Sequence, residues 1–191
     1  MSPQPEQRAA MADQAEYSPE ERAELLRIAR GSIGAALGAE PFEVGEISEH
    51  LSEPRGAFTT LHNQGELRGC VGYIFPVRPL YRTVADTAAS AALHDSRFPP
   101  VTADELPQLT IEISVLSLTQ PIASEDIEIG RHGLLITYGS RRGLLLPQVP
   151  VEHGWDATTF LEQTCHKAGL PEDAWQHGAT IEGFTAEIFS E

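Results

Sequence analysis

The segment Leu67-Arg68-Gly69-Cys70-Val71-Gly72 holds the residues best suited to chemistry in this 191-residue chain. If it is a β-strand, side chains alternate between the two faces, so Arg68, Cys70 and Gly72 share one face. Arg68 and Cys70 then lie roughly 6.5–7 Å apart, a range at which a guanidinium favours a thiolate. Glycine inside a strand indicates a bulge or a close approach by another group. The segment therefore predicts a catalytic Cys70 with Arg68 beside an anionic or carbonyl-bearing ligand; the alternative is a small core cysteine.

A second segment, Asp95-Ser96-Arg97-Phe98-Pro99-Pro100, brings an acid, a base and an aromatic ring together where two prolines exclude a helix. Stiff loops hold binding groups well, so Arg97 and Phe98 are predicted to contact a substrate or partner. A purely structural role is the alternative, in which Asp95 caps the loop and pairs with Arg97 while Phe98 fills the core.

His132 is the most suggestive of the seven histidines, because Gly130 and Gly133 on either side expose it near a strand start. Cys165 lies on the apolar side of a predicted helix and is expected to pack in the core. The sequence contains no HExxH, CxxC, GxGxxG, P-loop or GxSxG motif, so no cofactor and no metal site are predicted. A metal held by Cys70, His132 and a distant third ligand is the weakest hypothesis.

Periodicity and turn signals predict the elements that position these residues. A helix capped by Ser18, Pro19 and Glu21 is followed by a hairpin, a helix and a strand, and the last three are then repeated. The predicted ranges are 56–61 with 66–74, 79–94 and 110–118, then 133–138 with 143–147, 156–168 and 179–189.

Two sequence matches support an internal duplication of this hairpin–helix–strand unit. Arg68-Gly69 and Arg142-Gly143 hold like positions in the hairpins, while Thr110-Ile111-Glu112 and Thr180-Ile181-Glu182 hold like positions in the strands. Leu144 stands where the first unit has Cys70, which indicates that only the first hairpin kept a polar face. The halves are expected to pack together as one α/β (α+β) domain. An α+β sheet without any repeat is the alternative.

The charge and hydropathy of the chain argue against several classes of function. The net charge of −15 repels nucleic-acid phosphates and anionic membranes, and the sequence offers no basic cluster to offset it. No stretch approaches the roughly 18 apolar residues of a membrane helix, and no signal-peptide pattern begins the chain. We therefore expect a cytoplasmic protein with residues 1–16 disordered and residues 17–191 forming a single domain.

Several motifs, taken together, resemble those of the AMMECR domain. Residues 67–72 resemble its LRGCIG signature, residues 95–100 its D-x-R-F-P-P loop, and residues 130–134 its G-x-H-G segment. Residues 143–149 and 165–170 look like the prokaryotic branch, called AmmeMemoRadiSam system protein A. The motifs occur in the family's order and span about residues 20–190, and Val71 in place of isoleucine is a conservative departure.

The resemblance implies duplicated units in one barrel-like mixed sheet with flanking helices. It also implies a Memo-type partner related to extradiol dioxygenases and a radical SAM partner, and it leaves the reaction open. Carried over by motif, the site comprises Cys70, Arg68, Asp95, Arg97 and His132, with Gln148 behind them.

Two hypotheses about function follow, and they leave open whether the protein is an enzyme. In the first, Cys70 is a nucleophile or redox thiol, Arg68 activates it or binds an oxyanion, His132 is the acid or base, and Asp95 orients a partner group. In the second, the protein is a non-catalytic component that binds a small molecule or docks onto its partners through the loop with Arg97 and Phe98.

Overall fold

A computed structural model describes residues 15–191, which form a mixed α+β fold, as predicted. The helices and strands of this range are α1 (Pro19–Ala36), β1 (Ala57–Asn63), β2 (Glu66–Tyr73), α2 (Leu80–Leu93), β3 (Leu109–Leu116), β4 (Gln120–Pro121), β5 (Gly133–Tyr138), β6 (Arg141–Leu145), α3 (Gln148–His153), α4 (Ala157–Lys167), β7 (Thr180–Phe184) and β8 (Ala186–Ser190). They fall into two compact units, residues 15–115 with 187–191 and residues 116–186.

The first unit begins with the predicted capping box. The Ser18 hydroxyl accepts the Glu21 N–H at 3.2 Å, and the Glu21 carboxylate accepts the Ser18 N–H at 3.0 Å. This reciprocal pair satisfies two N–H groups that the first turn of a helix leaves without partners. One face of α1 is buried through Leu25, Ile28, Ala29 and Ile33. The start of the helix is as predicted. The face predicted from the sequence is confirmed at Ala29 and Ile33, whereas Leu26 and Leu37 are only partly buried and Ala36 is exposed.

The sheet of the first unit has the strand order β2-β1-β3-β8. β1 and β2 form a hairpin across Gln64 and Gly65, whose φ angles of 53° and 85° are those of a type I′ turn. Helix α2 packs on β1 and β2, and α1 packs on α2. The resulting core includes Leu61, Ile111 and Ile113 from the sheet and Leu80, Val84 and Ala88 from α2. β2 is thus an edge strand with a helix behind it.

The second unit repeats this arrangement. Its strand order is β6-β5-β7-β4, with a β5–β6 hairpin across Gly139-Ser140 and helix α4 packed on both strands. Asp156 caps α4 by accepting the Thr159 N–H at 2.8 Å, as predicted. The core of this unit centres on Leu134, Ile136, Phe160 and Leu161.

Two glycines show how closely the units correspond. A Cβ atom at position 69 would come within 2.2 Å of the Ala91 carbonyl oxygen in α2. A Cβ atom at position 143 would come within 2.3 Å of the Ala168 nitrogen at the end of α4. In each unit the second hairpin strand therefore meets helix backbone at a position that only glycine can occupy. The close approach predicted at Gly69 is confirmed, and the duplication is visible in the topology.

Several details differ from the sequence-based expectation. The described strands form two four-stranded sheets and no closed barrel. The closing strand predicted over 179–189 is two strands, because the Thr185 backbone N–H and C=O both bond to Ser117, at 2.9 Å each. The short helix α3, which has Pro150 in its first turn, was not predicted.

At the amino-terminal side, residues 1–14 of the segment predicted to be disordered lie outside the described residues. Glu16 donates its N–H to Glu187 at 2.7 Å and accepts a hydrogen bond from Arg55 at 3.0 Å, so the described chain is already fixed there. Within residues 15–191, no helix has the length and apolar character needed to cross a membrane.

Candidate functional site

A β-bulge decides where the Cys70 side chain points. The pairing of β1 with β2 runs Asn63↔Glu66 and His62↔Leu67, then slips so that Leu61 pairs with Gly69 and Thr60 with Cys70. Arg68 is the extra residue in this slip. Because a one-residue slip moves side chains to the opposite face, the bulge places Cys70 opposite Thr60 rather than opposite the fully buried Thr59. Cys70 is accordingly only half-buried.

The bulge also directs Arg68 away from the thiol. Its guanidinium donates to both Glu105 carboxylate oxygens, at 2.9 and 3.1 Å, and to the Pro99 and Pro100 carbonyls, at 2.9 and 3.3 Å. Glu105 also accepts the Thr102 N–H at 2.8 Å. The hydrogen bonds from Arg68, with that from Thr102, lower the pKa of Glu105 to about 2. Arg68 therefore ties the edge strand to the loop instead of extending over Cys70.

Asp95 and Arg97 make the reverse connection, from the loop to the strand. Asp95 Oδ2 accepts the Cys70 backbone N–H at 2.8 Å, and Arg97 Nη2 donates to the Cys70 carbonyl at 3.3 Å. Cys70 thus has both backbone groups bonded at the free edge of β2, where an unprotected strand would pair with another chain. Arg97 and Asp95 also bond to each other, with Nε to Oδ1 at 3.0 Å and Nη2 to Oδ2 at 2.7 Å.

The charges in this loop are fixed by that pairing. Hydrogen bonds from the Arg97 side chain, and then from the Cys70 and Arg97 backbone N–H groups, hold the pKa of Asp95 well below its ordinary value. The Asp95 side chain is only 6% exposed, whereas that of Arg97 is 54% exposed and lies 5.4 Å above the Phe98 ring. Asp95 is therefore an ionised anchor, and Arg97 is the charged group that faces outward.

The Cys70 thiol has one hydroxyl donor, and the Arg97 guanidinium lies near it through a hydrogen bond to the Cys70 carbonyl at 3.3 Å. Thr60 Oγ1 donates to Cys70 Sγ at 3.3 Å. The pKa of Arg97 is raised first by its hydrogen bonds to Asp95 and also by contact with the Cys70 side chain, which places the guanidinium close to the sulfur. The arginine next to the thiol is thus Arg97, and the activating role that we predicted for Arg68 finds no support in its contacts.

The sheet face around Cys70 also carries an aromatic ring, from Phe58, and a carboxylate, from Glu112. Phe58 pairs with Gly72, and a Cβ atom at position 72 would come within 2.2 Å of the Phe58 ring, so this ring covers the strand beside Cys70. Thr60 pairs with Glu112 of β3 on its other side. Cys70, Thr60 and Glu112 therefore form one polar row across three strands, and all three are half-buried. We call Cys70, Thr60, Arg97 and Asp95 the thiol site.

His132 and Gln148 belong to the second unit. His132 Nδ1 accepts the Glu128 backbone N–H at 3.0 Å, so the proton of the neutral ring is on Nε2. Gln148 is exposed at the first residue of α3. The assignment of His132 as a catalytic residue, and of Gln148 as a substrate- or partner-binding residue, stays a prediction.

Cys165 is fully buried in the second core, as predicted, and burial raises the pKa of its thiol. Both cysteines are free. Among residues 15–191, no group of three or more His, Cys, Asp or Glu side chains is arranged to hold a metal ion.

Sequence reasoning missed Thr60, Phe58 and the pairing of Glu105 with Arg68. Thr60 lies in the predicted hairpin, but its pairing with Cys70 depends on the bulge, for which Gly69 and Gly72 were the only local signal. Glu105 lies 37 residues from Arg68, beyond the reach of any local pattern.

Comparisons with known proteins agree with the motifs. The AMMECR1 family model matches residues 26–189. Protein MJ0810 of Methanocaldococcus jannaschii is 44% identical over 182 residues, covering 90% of each chain. Protein TK0174 of Thermococcus kodakarensis is 49% identical over 183 residues, covering 87% of this chain and 88% of its own.

The fold is also found in a solved structure. The crystal structure of the uncharacterized protein PH0010 from Pyrococcus horikoshii superimposes with a TM-score of 0.71 at 40% identity, covering 87% of this chain and 89% of that one. The chain therefore belongs to the AMMECR1 family.

Proposed function

We propose that this protein carries out Cys70-dependent chemistry on a small carbonyl-bearing or oxyanion substrate, or holds such a substrate for a partner enzyme. The observation that carries the proposal is the hydrogen bond from Thr60 Oγ1 to Cys70 Sγ, on a half-buried sheet face that the Arg97 guanidinium adjoins. Cys165 differs from Cys70 because it is fully buried, and burial raises the pKa of its thiol.

Each residue of the thiol site has a role in this proposal. After the half-buried Cys70 thiol has released its proton to solvent, the sulfur attacks the substrate carbonyl carbon, so an S–C bond forms as the carbonyl π pair moves onto oxygen. Arg97 is exposed enough to stabilise that oxygen, and Thr60 keeps the sulfur oriented. Asp95 positions Arg97 and the Cys70 backbone.

Alkylation kinetics test the proposal directly. In a Cys165→Ser background, we expect iodoacetamide to modify Cys70 at least threefold more slowly in Thr60→Val and in Arg97→Gln. The first variant removes the hydroxyl that donates to Sγ, and the second removes the cation beside the thiol. Thr110→Val is the matched control, since it removes an exposed hydroxyl from β3 of the same sheet. Equal rates in all four proteins, or a Cys70 that reacts only after unfolding, would refute an activated thiol.

A second function, as a docking component for the proposed Memo-type and radical SAM partners, is favoured by a different observation. Arg97 stacks on Phe98 in a loop that is pinned at both ends, and exposed arginine and aromatic side chains on rigid loops are common centres of protein interfaces. Here Phe98→Ala should abolish co-purification with a Memo-type partner, whereas Cys70→Ala should leave it intact. If Cys70→Ala abolished co-purification and Phe98→Ala left it intact, the result would favour the chemical role alone.

A further inference from the structure

A cleft in the second unit has no part in the thiol site. It has a volume of about 180 Å³, and its lining residues come from the 117–122 segment, from His132 and from residues 183–185. A cavity of roughly 150 Å³ lined by apolar side chains accommodates benzene. The cleft is therefore large enough for a molecule with a single small ring.

The walls are fixed by the backbone rather than by mobile side chains. Ser117 donates its N–H to the Thr185 carbonyl and accepts the Thr185 N–H on its hydroxyl, both at 2.9 Å. Ile122 donates its N–H to the Ile181 carbonyl at 3.2 Å, which holds the other end of the segment against β7. Apolar surface comes from Leu118, Pro121, Ile122 and Phe184. The cleft is thus preformed, as ligand sites usually are.

Two polar side chains of the cleft have a donor without a partner, and the exposed Gln120 adds an amide at its edge. The Glu128 N–H holds Nδ1 of His132 at 3.0 Å, which fixes the ring and leaves Nε2–H with no hydrogen-bond partner among the described residues. The Thr185 hydroxyl likewise makes no hydrogen bond within residues 15–191, although its backbone groups do. Two free donors facing an apolar space match a ligand with one acceptor group.

The charges near the cleft indicate which kind of acceptor group its ligand should carry. The carboxylate adjoining His132 is Glu128, which pairs with Arg131 at 3.0 Å, and Glu182 lies beside the 117–122 segment through its bond to Thr119 at 2.9 Å. With a net charge of −15 on the chain, an anion would meet an unfavourable field. A neutral carbonyl takes the same hydrogen bonds without that repulsion.

We infer that this cleft is a binding site for a small neutral molecule with one apolar ring or branched body and one carbonyl group. The carbonyl accepts from His132 Nε2–H and the Thr185 hydroxyl, while the apolar part lies against Ile122 and Phe184. We call it the histidine cleft. His132 then acts as a ligand-binding residue.

Three ligands of similar shape separate the contributions of hydrogen bonding, charge and apolar contact to binding. Benzamide carries a neutral carbonyl, benzoate carries an anion, and toluene has no acceptor. Titrations of the full chain would be followed by NMR of the His132 ring and of the Gly183 and Thr185 amides. We expect saturable shifts with benzamide and a Kd on the order of 1 mM, weaker binding of toluene, and the weakest binding of benzoate.

Two substitutions at one position isolate the donor. In His132→Asn, the amide oxygen replaces Nδ1 as the acceptor for the Glu128 N–H, and nothing replaces Nε2. It should weaken benzamide binding roughly threefold to tenfold and leave toluene unchanged, whereas His166→Asn, at an exposed histidine of the same unit, should change neither. Benzamide shifts that never saturate, that fall outside the cleft or that survive His132→Asn would overturn the site, and tighter binding of benzoate would overturn its neutral-ligand chemistry.

Discussion

The ion pair between Arg68 and Glu105 is expected to stabilise the first unit in a pH-dependent way. The carboxylate of Glu105 receives two hydrogen bonds from Arg68 and one from the Thr102 backbone, and its pKa falls from 4.5 to about 2. At about 1.36 kcal/mol per pKa unit, that fall corresponds to about 3 kcal/mol. Since the side chain is 26% exposed, solvent screens part of this energy. We therefore expect Glu105→Gln to lose about 1–2 kcal/mol of unfolding free energy near pH 7.

The sign of the pH dependence follows from linkage. A carboxyl whose pKa is lower in the folded state stabilises the fold above its unfolded pKa and loses that contribution as the pH falls through its folded pKa. The wild-type protein and Glu105→Gln should therefore differ by a constant amount above about pH 5.5, and the difference should shrink between about pH 5 and 2.

The assay must detect unfolding of the first unit, because Glu105 lies there. Both tryptophans, Trp155 and Trp175, lie in the second unit, so unfolding of the first unit by urea is better followed by far-UV circular dichroism. Glu66→Gln is the matched control, because Glu66 is an exposed glutamate at the start of β2. A Glu105→Gln difference that does not change with pH, or one no larger than that of Glu66→Gln, would refute the role of this ion pair.

Three further outcomes are expected. Gly69→Ala and Gly143→Ala should each cost about 2 kcal/mol or more in urea unfolding, because the added methyl meets helix backbone, whereas Gly34→Ala, with 3.6 Å to Leu106, should be neutral or stabilising. A disulfide-exchange reagent should titrate one thiol in the folded protein and the second, Cys165, only in denaturant, since Cys165 is fully buried. Asp156→Ala should lower stability by about 1 kcal/mol in thermal unfolding, through loss of the α4 cap.

Local signals in the sequence predicted most of the elements because each rests on short-range physics. Ser18 and Glu21 form the capping box within one helical turn, and Asp156 caps α4 in the same way. The His62–Gly65 turn signal located the first hairpin, whose turn residues are Gln64 and Gly65. Such features depend on neighbours three or four residues away, which the sequence displays directly.

The candidate site was less predictable because it depends on register and on distant partners. Extending the hairpin regularly from Asn63↔Glu66 would pair Cys70 with Thr59, on the core face. The bulge at Arg68 pairs it with Thr60 instead, and so turns a core cysteine into a half-buried one with a hydroxyl donor. No local rule in the sequence places the extra residue at Arg68 rather than at its neighbours.

The two most distinctive segments of the sequence, residues 67–72 and 95–100, are bonded to each other in both directions, and we call this set of contacts the interlock. Arg68 reaches from the strand to the loop through Glu105, Pro99 and Pro100, while Asp95 and Arg97 reach back to the Cys70 backbone. Most of the charged side chains in these segments therefore hold the loop to the edge strand. Since this interlock fixes the loop, variants at Arg68 and Asp95 are expected to change stability first, and any loss of activity in them would be ambiguous.

Chemistry at Cys70 is better probed by groups that touch the sulfur without holding the interlock. Thr60 is such a group, because its hydroxyl meets Sγ from the neighbouring strand and valine retains its shape. A Thr60→Val variant that keeps the unfolding free energy of the wild type but slows the thiol would separate the function of this site from the architecture that surrounds it.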